Sequence, residues 1–150
     1  MNGIGLVLYA LHRGESDLAD RLTTVAGRHH AEHEVHYVAL DLAEWSREHV
    51  RLLAETALDH GLRLDDVPEA ATTPAHGSGP GPQLLRDLSA LHLSAAENSL
   101  HWEMLAQVAQ ATRDEGLLAV VSECHARTLR QMRWTNTMIK NLAPQLLTSL

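Results

Sequence analysis

The sequence predicts an all-α fold, an antiparallel four-helix bundle in a single domain. Three observations carry that reading. Apolar residues recur at helical spacing through both halves of the chain. Four of the five prolines and four glycines gather in one stretch between the halves. The apolar composition is aliphatic: hydrophobic residues make up 45% of the 150 residues, aromatic ones 3%, and Phe is absent. Leu, Ala, Val and Met fill packed helices more readily than they fill a β-sandwich.

Each element follows from its own spacing. A first helix over about 4–27 is marked by Ile4, Leu8, Leu11, Leu18, Leu22 and Val25. Gly27 is the break before a second helix over 30–60, marked by Val35, Val38, Leu42, Trp45, Leu52 and Thr56 and stopped by Gly61. One glycine is a weak breaker, so a single continuous helix through both is the alternative. The stretch 61–82, with Pro68, Pro74, Pro80, Pro82, Gly61, Gly77, Gly79 and Gly81, reads as a linker. A third helix is expected over 83–113. Asp114, Glu115 and Gly116 make a turn, and a fourth helix runs over 117–142, ahead of Pro144. Short hairpin loops make antiparallel neighbours, and a linker this long spans the bundle before the third helix begins.

Charge and cysteine usage exclude several classes. The formal charge is −7 with no basic arm or stripe, which argues against a nucleic-acid partner. The apolar run from Ile4 to Leu11 is shorter than the ~20 residues a membrane span needs. The one cysteine, Cys124, has no partner for an intramolecular disulfide, and a cytoplasmic protein is expected.

The most informative feature is an internal echo. Ser46-Arg47-Glu48-His49-Val50-Arg51 is matched by Ser122-Glu123-Cys124-His125-Ala126-Arg127. A Leu-x-x-x-Glu-x-x-Leu stretch precedes each, centred on Glu15 and on Glu97. On a wheel of ~100° per residue, Glu15, His49, Glu97 and His125 all lie on or beside apolar stripes. A buried carboxylate is costly unless it protonates or meets a cation. Two acids and two imidazoles, one from each helix, meet that requirement together by holding a metal.

The connectivity of hairpin, long crossover and hairpin resembles the ferritin-like superfamily. That resemblance implies Glu15 and Glu97 as lone glutamates and His49 and His125 as the histidines of Glu-x-x-His motifs. Ser46 and Ser122 occupy the positions where bridging glutamates would stand. The expected site is therefore a single transition-metal ion (Fe, Zn, Mn or Cu) held by two glutamates and two histidines, in an oxidase or a metal store. Two alternatives stand beside it. In one, Glu15 pairs with His49 and Glu97 with His125 as metal-free buried pairs that fix helix register, and the bundle is an interaction or small-ligand-binding module. In the other, the third helix buries Leu84, Leu88, Leu91, Ala95, Trp102 and Ala109, and Glu97 points outward.

A second cluster, His29, His33 and His36, spans an arc of ~60° if helical and is read as an exposed, pH-responsive patch. Cys124 is read as a small buried thiol. The second helix carries an outer apolar stripe, Leu40, Ala43, Val50, Ala54 and Leu58, and the third carries two apolar faces, which together argue for a homodimer.

Overall fold

The computed structural model describes residues 3–64 and 79–148. They form a four-helix bundle with no strand among the described residues: α1 (Gly3–Arg28), α2 (His33–Asp59), α3 (Pro80–Ala111) and α4 (Glu115–Thr148). The break near Gly27 is therefore a turn between two helices. Most of the expected linker, 65–78, lies outside the described residues.

The element boundaries differ from expectation for local reasons. Helix α3 begins at Pro80, with proline at its first positions, where a missing N–H costs nothing. Helix α4 begins at Glu115, so Gly116 is helical and the turn is formed by Thr112, Arg113 and Asp114. Arg113 adopts a left-handed φ of 54°, and the Asp114 N–H closes the turn on the Ala109 carbonyl at 2.9 Å. Helix α4 continues past Pro144, whose ring removes one ladder bond without ending the helix.

Helix α1 packs on α2 and α3, and α4 packs on α3 and α2. The interior divides into two apolar clusters. One joins Leu18, Leu22 and Val25 of α1 to Val35, Ala39 and Leu42 of α2, Leu84, Leu88 and Leu91 of α3, and Met138 of α4. The other joins Leu8 and Leu11 to Leu53 and Ala57, to Trp102 and Leu105, and to Leu117, Val121 and Cys124. In every helix the residues between its two contributions are polar and buried: Glu15, Ser46 with His49, Asn98 with Ser99, and Thr128 with Gln131. A polar layer thus crosses the middle of an otherwise aliphatic core.

Candidate functional site

Glu15 and His49 sit at the centre of that layer, and neither exposes any side-chain surface. Each lies in the middle of its helix's apolar stripe, so burying the stripe buries the charged group with it. His49 Nδ1 hydrogen-bonds Glu15 Oε2. Asn98 Nδ2 of α3 donates to the other carboxylate oxygen, Oε1, at 2.8 Å. Both oxygens of the acid are therefore matched by protein groups. Burial pushes the Glu15 carboxyl above its ordinary range, and the bonds from His49 and Asn98 pull against that shift.

Close approach of α1 and α3 makes this geometry available. A Cβ at Gly14 would collide with the Asn98 side-chain oxygen, so glycine there leaves the amide room to reach Glu15. Below the pair, Ser46 Oγ and the Leu42 carbonyl accept hydrogen bonds from Gln131 Nε2 at 2.9 and 3.1 Å. His49 Nε2, Trp102 Nε1 and Gln131 Oε1 are buried without a hydrogen-bond partner among the described residues. The His49 and Trp102 rings meet edge to face, with centroids 6.0 Å apart.

The other two expected ligands are elsewhere. Glu97 is exposed, because α3 buries its other apolar face, Leu84, Leu88, Leu91, Ala95, Trp102 and Ala109. Its neighbour Asn98 takes the interior position. His125 is half-buried between α3 and α4, where Nε2 lies 2.9 Å from Ser99 Oγ and Nδ1 lies 3.9 Å from the Glu103 carboxylate. Among the described residues no three His, Cys, Asp or Glu side chains converge as a metal site. The residues present do not fit the interior two-glutamate, two-histidine centre.

No protein-family model, no curated protein and no solved structure matches this chain.

The histidine cluster is also rearranged. Because α2 starts at His33, His29 falls in the turn and is buried, with Nε2 2.6 Å from Asp87 Oδ2. Arg28 bonds both Asp87 oxygens at 2.8 and 3.0 Å, and Gln83 donates to the same carboxylate at 2.8 Å. His36 bonds the Ala26 carbonyl at 2.7 Å through Nδ1. His30 and His33 remain exposed. The three histidines read as one patch therefore sit in three different environments. Cys124 is fully buried, and its thiol is pushed up to about 12, first by burial and then by the Glu15 charge. Ser122, unlike its echo Ser46, is exposed.

Proposed function

We propose that this chain is a ferritin-like bundle whose centre is metal-free and which serves as an interaction module. The observation that carries the reading is the pairing of Glu15 inside the protein: His49 bonds one carboxylate oxygen and Asn98 donates to the other. A buried carboxylate bonded on both oxygens is stabilised without a cation.

The ferritin-like part of the proposal is supported by the pairing of numbers across helix neighbours. Glu15 bonds Asn98 and Arg28 bonds Asp87, while Ser46 bonds Gln131 and Glu48 bonds Arg127. In both cases one number rises as the other falls, which favours antiparallel neighbours. His60, just after α2, bonds Asp114 between α3 and α4 at 2.9 Å. Arg28, at the end of α1, reaches Asp87 near the start of α3. Those two contacts favour a crossover that travels the length of the bundle. The interaction part is supported by the outer face of α3, where Leu93, Leu100 and Met104 expose 69%, 61% and 51% of their surface. A homodimer through that face belongs to the same reading.

The competing reading keeps a single transition-metal ion with Glu15 and His49 among its ligands. The unpartnered Nε2 of His49 is what favours it. Elemental analysis of protein purified without a metal-affinity tag separates the two. The metal-free reading expects less than one metal per chain, at a level unchanged in Glu15→Gln and His49→Gln. Stoichiometric metal that both substitutions abolish would overturn it.

A further inference from the structure

We propose that Ser99, His125 and Glu103 form a nucleophile, base and acid constellation that accepts acyl groups from activated short-chain esters or thioesters. The three groups lie along the contact between α3 and α4, from exposed to buried. The Glu103 side chain is 61% exposed, that of His125 15%, and Ser99 is 9% exposed. Ser99 and Glu103 stand four residues apart on α3, on adjacent turns of one face. His125 comes across from α4. Its Nε2 is 2.9 Å from Ser99 Oγ, and its Nδ1 is 3.9 Å from the Glu103 carboxylate. With the ring hydrogen on Nδ1, Nε2 accepts the hydroxyl hydrogen and Nδ1–H faces the acid. A serine nucleophile needs a base in that position and a third group orienting the base.

A second hydroxyl and imidazole between α3 and α4 shows why this pair differs. Thr135 Oγ1 donates to its own Met132 carbonyl at 2.9 Å, so it can only accept from His92 Nδ1 at 2.8 Å. That arrangement is structural. The Ser99 hydroxyl has no backbone acceptor among the described residues, so its hydrogen is free to point at His125 Nε2.

The fold also limits the substrate. Ser99 lies in the middle of α3, where backbone N–H groups are consumed by the helix ladder and none is left to hold an oxyanion. Without that support the leaving group must be good, which selects aryl esters and thioesters over amides. Leu129, exposed one turn along α4 from His125, and Ala96, three residues before Ser99, offer apolar surface to a short acyl chain. In the step, Ser99 Oγ bonds to the carbonyl carbon as its proton moves to His125 Nε2. The bond from carbon to the leaving oxygen or sulfur then breaks, and that atom departs with the electron pair and takes the proton from His125. Water hydrolyses the acyl serine by the reverse sequence. Glu103 touches no substrate; it faces Nδ1 of the ring and is a positioning residue.

Incubating the purified chain with para-nitrophenyl butyrate tests the assignment. Nitrophenolate release and a peptide mass map are the readouts. The expected result is a burst with the butyryl group mapped to Ser99, absent in Ser99→Ala. His125→Gln should slow acylation about 100-fold, and added imidazole should restore part of the rate in His125→Gly. Glu103→Asp should retain the rate better than Glu103→Gln. A folded wild-type chain with no butyryl on Ser99, or acylation at an undiminished rate in His125→Gln, overturns the proposal.

Discussion

A carboxylate that exposes no surface needs hydrogen-bond partners inside the protein, and Glu15 has one on each oxygen, from two different helices. The cost of breaking such a pair is asymmetric. Removing one member strands the other, whereas replacing both by apolar side chains leaves no unpaired charge, the Asn98 amide alone losing its acceptor. His49→Leu is therefore expected to destabilise the bundle by about 3 kcal/mol, and adding Glu15→Leu should recover most of that loss. Urea unfolding of the two single variants and the double variant measures the difference. A cost to Glu15→Leu/His49→Leu as large as the sum of the singles would contradict this account. Arg113 is the opposite case, a residue held where glycine fits better. Arg113→Gly should stabilise by about 1 kcal/mol, raising the melting temperature by about 2–4 °C. Glu15 and His49 could be singled out in the sequence because each interrupts a clean apolar stripe. Asn98 could not, since a neutral amide gives no charge signal and its role depends on the space left by Gly14. Ser99 and Glu103 escaped for a similar reason: their relation to His125 is made by the packing of α3 on α4 and leaves no motif.

The helices themselves were largely legible, because periodic apolar residues dictate both their existence and their approximate extent. What periodicity left open was the orientation of α3. It is apolar on both sides, so the stripe through Leu93, Leu100 and Met104 and the stripe through Leu88, Leu91 and Trp102 compete on equal terms in the sequence. Trp102 decides for the second, being the largest side chain with no exposure. Helix ends were less legible, as turns depend on single residues such as Arg113 whose type does not favour them. One helix end gives a pH prediction. His60 caps α2 on the Thr56 carbonyl and bonds Asp114 in the α3–α4 turn. The Thr56 carbonyl first, and then Asp114, hold His60 above its ordinary 6.5. The Leu117 N–H first, and then His60, hold Asp114 below its ordinary 3.8. A raised histidine contributes stability that is complete below 6.5 and is lost as pH rises through the folded value. A lowered aspartate contributes above 3.8 and loses that contribution only in stronger acid. Denaturation midpoints should accordingly fall as pH climbs above 6.5, and His60→Gln should flatten that part of the curve. An unchanged slope in His60→Gln would reject the assignment.

At the scale of the whole molecule the described residues present a covered core and an uncovered apolar face at Leu93, Leu100 and Met104 of α3. No helix among the described residues is long and apolar enough to cross a membrane. The outer stripe of α2 is a weaker candidate for an uncovered apolar face, since Ala43 is fully buried and Leu40 packs against the core, leaving Leu58 exposed. If the α3 face is where two copies meet, Leu93→Glu should shift the sedimentation mass from dimer to monomer while the helical spectrum is retained. Wild-type protein that sediments as a monomer at micromolar concentration would remove the dimer from the proposed function. Cys124 supplies a means of watching the interior that requires no engineering. It lies in the cluster bounded by Trp102 and Leu53, next to the polar layer, and is the chain's single thiol. A maleimide can reach it only when that half of the bundle breathes open, so the alkylation rate under native conditions is a clock for those openings. Labelling is expected to be slow in buffer and fast in denaturant, and quickened by any substitution that loosens the middle of the core.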